Sequence, residues 1–244
     1  MLPPLLLLAL LAAQAGLAQA LRPVEPPRGD LAPPPDPRAM AALSLGDPQF
    51  AFRAASLRLQ HAGSLDGRTV AWSALDHRLM AEWFRALDRL DPRPDIVPAM
   101  AALLYAPAAD RTGAAAIVDY LEDHALRDPA GKWRWLAQAV HVARYRMEDP
   151  RRALDLARTL RGLPVADLPY WARQLEVFVL ADLGDRAAAR ALLLALLESD
   201  PDLPDHERRW IRWYIARNLD GGGPGGAASD ADPAPGRGPE PAAP

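Results

Sequence analysis

Four prolines recur along this chain at nearly equal distances. Pro92, Pro129, Pro164 and Pro201 lie 37, 35 and 37 residues apart, and three of them follow an aspartate. Between them lie stretches whose apolar residues have helical spacing, without the alternation of strands. An interval of this length is typical of stacked helix-turn-helix units. It predicts an all-α array whose surface holds another polypeptide.

The composition agrees with helices and excludes several kinds of chemistry. Half of the chain is hydrophobic, mostly Ala and Leu, which favours helix over sheet. The 28 basic and 31 acidic residues are interspersed, so the charge pattern predicts no nucleic-acid partner. The chain has no cysteine, which excludes disulfides, thiol catalysis and cysteine zinc ligands.

The first 20 residues have the pattern of a signal peptide. Residues 2–20 carry no charged side chain and end on Ala18-Gln19-Ala20, the small-x-small sequence after which signal peptidase cleaves. We therefore expect a periplasmic or secreted protein. No Lys or Arg precedes the apolar stretch, which is nearly long enough to remain as an inner-membrane anchor. That alternative stays open, and it is the only membrane contact that we expect.

Two further segments are too poor in large apolar residues to form a core. Residues 21–38 are rich in proline and predict an extended linker. Residues 220–244 are rich in Gly, Pro and Ala and predict a disordered tail. The expected folded domain therefore covers residues 39–219.

Periodicity and capping signals divide this domain into four helix pairs and one terminal helix. Asp-Pro starts, a turn at Asp66-Gly67 and apolar residues three and four positions apart set the boundaries. The expected pairs are 47–62 with 69–90, 95–105 with 110–126, 131–147 with 149–160, and 167–183 with 185–199. The terminal helix, 204–219, has a charged outer face that suits the cap of an array.

The fourth pair resembles the second half of a tetratricopeptide repeat (TPR). Gly184, Ala189, Leu193 and Pro201 take the places where that family has its turn glycine, small residue, large apolar residue and terminal proline. The resemblance covers roughly residues 47–201 and is looser in the other pairs, which lack the aromatic-Leu-Gly signature of the first helix. It implies a right-handed α-α superhelix of stacked repeats.

The resemblance also implies that the first helix of each pair lines a concave, peptide-binding side. Residues of the third pair that repeat at spacings of four, three and four should share one helix face there. With neighbours on the same and the next first helix they form the expected partner-binding groove: Arg134, Gln138, His141, Arg144, Tyr145, Arg173 and Gln174. Its arginines suit an acidic segment or a C-terminal carboxylate. The alternative is an ordinary solvated face.

The tryptophans divide into expected core residues and one expected surface residue. Trp72, Trp83 and Trp171 lie on apolar stripes and should be buried. Trp133 and Trp135 lie about 200° apart on a helix, so they should not both face inward. We expect one of the two to be an exposed aromatic of the kind that anchors interfaces.

No motif for catalysis, cofactor or metal binding is present in the sequence. The five histidines have no i, i+4 pair, and no nucleophile elbow or phosphate loop occurs. We therefore expect no catalytic, cofactor or metal residues, and an exported protein-protein scaffold that assists assembly of an envelope, secretion or pilus-like complex. The alternatives are a self-assembling envelope element and a solenoid-based murein-acting enzyme.

Overall fold

Every regular element in the described residues is helical. The computed structural model describes residues 4–21, 31–44, 46–64 and 69–220. The expected Asp66-Gly67 turn, residues 22–30 of the linker and the tail after residue 220 lie outside these ranges. The helices are α1 (Pro4–Leu21), α2 (Pro37–Leu43), α3 (Pro48–Gln60), α4 (His77–Leu90), α5 (Ile96–Ala99), α6 (Arg111–Arg127), α7 (Pro129–Tyr145), α8 (Pro150–Arg161), α9 (Tyr170–Arg173), α10 (Leu175–Asp182), α11 (Arg186–Ser199) and α12 (Asp205–Tyr214).

Three shorter segments complete the helical part. A 3-10 helix, Trp72–Ala74, precedes α4. A π-helix, Met100–Tyr105, continues α5, and another, Ile215–Leu219, continues α12. The first helices of the successive units are α3, α5 with its π-helix, α7, α9 with α10, and α12. The second helices are α4, α6, α8 and α11.

Aspartate side chains begin most of these helices. An aspartate carboxylate accepts hydrogen bonds from first-turn N–H groups that have no partner within the helix. Four of these aspartates stand before a proline that begins the helix, where its missing N–H costs nothing. The capping residues are Asp36, Asp47, Asp76, Asp110, Asp128, Asp149 and Asp185.

The first helices lie side by side in the same direction. Near their starts, Trp135 of α7 donates its indole N–H to Asp95 just before α5, at 3.0 Å. Past their ends, Arg146 donates to the carbonyl oxygen of Ala109 at 2.8 Å. The first helices of the third and fourth units also lie side by side, since the rings of Trp133 and Trp171 are 5.5 Å apart near the starts of α7 and α9.

The second helices show the same register. His77 and Gly113 meet where α4 and α6 begin, so closely that a Cβ on Gly113 would lie 2.6 Å from the Cβ of His77. Further along the same two helices, His124 of α6 donates to Asp88 of α4 at 2.6 Å. These partners are 36 residues apart, and Lys132 and Asp95 on the first helices are 37 apart. Neighbouring helices therefore pack as in a helical repeat, with the period of the four prolines.

Those prolines lie at the boundaries between units. Pro129 is the first residue of α7, and Pro92, Pro164 and Pro201 lie in the connections before α5, α9 and α12. The interval between these prolines is therefore the interval between successive helix pairs.

The fourth unit places its four marked residues where the resemblance expects them. Gly184, in the turn between α10 and α11, has a φ of +80°, a backbone conformation that side-chain-bearing residues rarely adopt. Ala189 and Leu193 of α11 are fully buried. Pro201 follows the end of that helix.

The buried apolar residues form two clusters. The larger runs from Met40 to Val179 and includes buried residues of α4, α6, α7 and α8. The smaller runs from Val177 to Leu219 and consists of residues from α10, α11, α12, the connection before α12 and the π-helix after it. The two clusters meet where the third unit adjoins the fourth.

The largest differences from the expected helix boundaries occur in two helices. Helix α4 begins at His77 rather than at residue 69, because Asp76 accepts hydrogen bonds from the N–H groups of Arg78 and Leu79. The first helix of the fourth pair is divided into α9 and α10. At Gln174 the bonding shifts to a tighter pattern, in which Val177 N–H reaches the carbonyl of Gln174.

The packed part of the chain extends further towards the N-terminus than the sequence indicates. Residues 31–36, in the proline-rich stretch, have no regular secondary structure, but Leu31 packs against the larger cluster. Trp83 of α4 donates its indole N–H to the carbonyl oxygen of Ala32 at 2.8 Å. Helix α2, which the sequence pattern does not predict, follows with Met40 buried.

Candidate protein-binding face

Four of the expected groove residues share one side of α7. Arg134, His141 and Tyr145 are exposed, and Gln138 is half-buried. The ring centroids of His141 and Tyr145 lie 4.7 Å apart, and 57% of Tyr145 is exposed. The expected sharing of one helix face is therefore present, with its aromatic part at the C-terminal end of α7.

The arginines of this face already have partners inside the protein. Arg144 makes a two-pronged contact with Asp182 at the end of α10, and its guanidinium lies 4.7 Å from the Tyr145 ring centroid. Arg134 lies 3.5 Å from Asp95. A paired guanidinium has less to offer an acidic ligand, so the pairing weakens the argument for such a ligand.

The pKa of Arg144 reflects its pairing. Burial alone would lower that pKa, but the hydrogen bond and charge of Asp182 outweigh it and raise the pKa. The pair stabilises the contact between α7 and α10 and fixes the position of the Tyr145 ring.

The structure does not bring Arg173 and Gln174 onto the α7 face. Both line a cavity between α8, α10 and α11. Gln174 is only 4% exposed, and its amide donates to Glu207 of α12 at 3.3 Å, so its expected position on a solvent-facing groove is wrong. Gln174 lies where α9 and α10 join, and its side chain faces α12, the neighbouring first helix.

Three aromatic side chains that the sequence pattern did not single out continue the α7 face. Phe178 of α10 contacts Trp210 and Tyr214 of α12, with ring centroids 6.0 and 5.5 Å away. Trp210 and Tyr214 stack on each other at 5.2 Å. Phe178 and Tyr214 are half-buried, and Trp210 lies partly buried against the smaller cluster, so part of this surface is open to a partner.

Tyr214 joins these rings to the end of α7. Its pKa is raised, chiefly by burial, and it interacts electrostatically with both Arg144 and Asp182. We call the resulting surface the aromatic strip. It consists of His141, Tyr145, Phe178, Trp210 and Tyr214.

The sequence contained a partial signal for the strip. Trp210 and Tyr214 are four residues apart, which places them on one helix face. Phe178 has no aromatic residue three or four positions away in the sequence. Only the parallel packing of α7, α10 and α12 brings the five rings to one surface.

The expectations for the tryptophans are confirmed in part. Trp83 is buried, as predicted, but Trp72 is 46% and Trp171 is 49% exposed, so their predicted burial is wrong. Trp135 is buried and bonded to Asp95, whereas Trp133 is half-buried against Trp171. Trp133 and Trp171 thus form a second, smaller aromatic patch at the other end of α7.

A buried polar cluster lies away from this face, between α4 and α6. Asp88 is 3% exposed and accepts from the Tyr120 hydroxyl at 3.1 Å, from His124 Nδ1 at 2.6 Å and from Arg127 at 3.3 Å. Burial, followed by the charge of Asp88, raises the pKa of Tyr120. Nε2 of His124 is buried without a hydrogen-bond partner. With Tyr120 and His124 both occupied by Asp88, we assign this cluster to holding α4 and α6 in register.

The described residues show neither a metal centre nor a membrane span. In the described ranges, no group of three or more His, Asp or Glu side chains is arranged to hold a metal ion. None of the helices described combines the length and the apolar character that crossing a membrane requires.

Comparison of the chain with family models, with curated proteins and with solved structures finds no match. The likeness to the tetratricopeptide family therefore rests on the residues of the fourth unit and on the repeat-like packing.

Proposed function

We propose that this protein is a TPR-like scaffold that binds a protein partner through the aromatic strip. The observation that carries the proposal is the position of five aromatic side chains on three parallel first helices, with Tyr145 more than half exposed. Aromatic side chains supply large contact area together with polar groups, and they dominate the energy of many interfaces. The fold that we propose is a right-handed superhelix of such repeats.

We further propose that the protein is exported and acts in the assembly of a cell-envelope, secretion or pilus-like complex. The support is the apolar N-terminal stretch, which forms the 18-residue helix α1 and ends near Ala18-Gln19-Ala20. Several of its leucines are exposed, among them Leu8 at 62% and Leu11 at 64%. Such a surface suits recognition by an export system better than a place in the folded array.

One experiment tests both location and binding. The chain with an internal tag is expressed with its own N-terminus in a bacterial host that has a cell envelope, and bound proteins are captured. The intact mass of the captured chain is measured in the same sample. A mature chain that begins at Leu21, together with a reproducible envelope partner, is the expected result. An intact Met1 end together with only cytoplasmic proteins would contradict export.

Two matched variants test the strip. Tyr145→Ala should reduce capture of the partner at least tenfold, as the loss of an interface anchor typically costs about 2 kcal/mol or more. Phe50→Ala is the control, because Phe50 of α3 is 54% exposed, close to the 57% of Tyr145, but lies far along the chain from the strip. Both variants should unfold at the wild-type urea concentration. Equal capture by wild type and Tyr145→Ala would show that the strip is not the interface.

A self-assembling envelope element is the second candidate, and one observation favours it. Leu103 and Leu104 of the π-helix after α5 are 60% and 38% exposed, and Ile96 of α5 is 43% exposed. Apolar side chains close together on a surface often mark contacts between copies. Sedimentation over a wide concentration range decides: a mass that grows with concentration and falls back in Leu103→Glu supports self-assembly, and a constant monomer mass excludes it.

A further inference from the structure

A cavity of about 260 Å³ lies where the third unit meets the fourth. The connection from α8 to α9 forms one wall, the beginning of α10 forms the back, and the second half of α11 forms the other wall. Leu168, Val177 and Leu193 are buried along it. The cavity is partly open to solvent and lies apart from the aromatic strip.

The cavity occupies the seam between the two hydrophobic clusters. Leu168 belongs to the larger cluster, and Leu163 and Val165 pack against that cluster. Val177 and Leu193 belong to the smaller one. Protein interiors have few voids larger than a water molecule, and an apolar cavity of about 150 Å³ is enough to bind benzene. A cavity of this size between two apolar walls can therefore hold a chain of methylene groups.

Arginine side chains stand at the edge of the cavity. Arg161 donates its Nε to Glu176 at 2.5 Å, and Arg173 donates one terminal nitrogen to the carbonyl oxygen of Ala166 at 3.3 Å. Arg161 is paired with a carboxylate, whereas Arg173 bonds to a neutral carbonyl oxygen. A guanidinium has five N–H donors, so Arg173 keeps both its charge and donors for a ligand. The lining residues include no aspartate or glutamate. The charge of Arg173 at the opening therefore favours an anion.

We propose that this cavity binds a single-chain alkyl carboxylate. The alkyl chain lies between Leu168, Val177 and Leu193 and removes their surfaces from water. The carboxylate lies at the opening, where Arg173 donates to it. This ligand site is independent of the protein-binding function proposed above, because it uses none of the residues of the aromatic strip.

The test is a titration of the full chain with decanoate, followed by calorimetry and by the melting temperature. Decanoate should bind at one site and raise the melting temperature as its concentration grows, since a ligand that binds only the folded state stabilises that state. Decanol, which has the same chain without the charge, should bind at least tenfold more weakly. Across a series from hexanoate to tetradecanoate, affinity should rise and then fall once the chain is too long for the cavity.

Two pairs of variants test where the ligand binds. Ala195→Trp puts a large ring into the cavity and should abolish binding, whereas Ala191→Trp is the control, because Ala191 is also on α11 and exposed but does not line the cavity. Arg173→Gln should weaken decanoate binding at least tenfold and leave decanol binding unchanged. Arg186→Gln, on an exposed arginine at the start of α11, should change neither.

Three results would overturn the proposal. They are no binding of decanoate below the concentration at which it forms micelles, binding that Ala195→Trp leaves intact, and equal affinity for decanol and decanoate. A loss of protein capture in Ala195→Trp without any decanoate binding would also overturn it, and would assign the cavity to an apolar side chain of a partner protein. The capture result for Tyr145→Ala bears on none of these outcomes, so the two proposals fail separately.

Discussion

Asp88 joins two helices through three polar contacts in the interior. It accepts hydrogen bonds from Tyr120, His124 and Arg127, all on α6, while it lies on α4. A buried carboxylate is costly unless it is paired, and removal of one member of such a group leaves the others without partners. Asp88 therefore stabilises the contact between α4 and α6 only while its partners remain.

We expect Asp88→Ala to lower the free energy of unfolding by about 3 to 5 kcal/mol, the usual cost of breaking a buried ion pair. The control is Asp123→Ala. Asp123 also contacts an arginine across the same two helices, Arg85 at 3.6 Å, but its side chain is 56% exposed, and the variant should lose less than about 1 kcal/mol. Urea unfolding measures both. Equal losses of unfolding free energy in the two variants would mean that burial of the cluster adds nothing to stability.

At the scale of single residues, the sequence predicted which side chains share a helix face but not what each one meets. The α7 face carries Arg134, His141 and Tyr145, as their spacing indicates. The partner of Arg144 is Asp182, which lies 38 residues away, and no local pattern indicates that contact. Trp72 and Trp171 lie on apolar stripes and yet are half exposed, because the width of the buried stripe depends on the neighbouring helix.

Turns between paired helices have a common geometry in the third and fourth units. Gly184, between α10 and α11, has a φ of +80°, and Glu148, between α7 and α8, has a φ of +52°. The two positions are 36 residues apart, one repeat interval. A left-handed conformation costs a residue with a side chain roughly 1 to 2 kcal/mol, whereas glycine adopts it freely.

We expect Glu148→Gly to raise the free energy of unfolding by about 1 kcal/mol, because it relieves this backbone cost. The lost contact between Glu148 and Arg111 is exposed on both sides and contributes little. The reverse change at the equivalent turn, Gly184→Ala, should destabilise the protein by a similar amount, although nothing lies within 4 Å of the added Cβ. Thermal unfolding compares the two. A destabilised Glu148→Gly would show that the turn carries no strain.

The helices themselves were largely predictable because their signals are local. Asp-Pro starts and apolar periodicity placed most of the expected ends within about two residues of the observed ones, for example Pro150–Arg161 against the expected 149–160. The exceptions depend on contacts elsewhere. Helix α2 and residues 31–36 are held by Met40, Leu31 and the Trp83 bond to Ala32, and such tertiary contacts have no periodic signature.

At the scale of the molecule, the proline interval predicted the repeat, and the contacts between side chains recur at the same interval. The aromatic strip was not predictable in the same way. It exists only because α7, α10 and α12 lie parallel, which brings Tyr145, Phe178 and Tyr214 to one surface from positions more than 30 residues apart. The division of the interior into two clusters is likewise a property of the assembled array.

The two clusters predict unequal stability along the chain. Each unit of a repeat array contacts only its neighbours, so a terminal unit can open while the rest stays folded. The smaller cluster contains few buried residues to stabilise it. Helix α11 buries only Ala189 and Leu193, whereas α6 and α7 bury eight residues each. We therefore expect the amides of α11 and α12 to exchange hydrogen faster than those of α6 and α7.

Substitutions of two equally buried leucines test this expectation. Leu193 of α11 and Leu121 of α6 are both fully buried, and loss of either side chain should cost about 2 to 5 kcal/mol locally. Native-state hydrogen exchange should show that Leu193→Ala speeds exchange in α11 and α12 and leaves α6 unchanged. Leu121→Ala should speed exchange throughout the larger cluster, because α6 is packed between α4 and α7 and has no free end at which to open alone. Equal acceleration along the whole chain in both variants would mean that the two clusters unfold as one cooperative unit, despite the cavity at their seam.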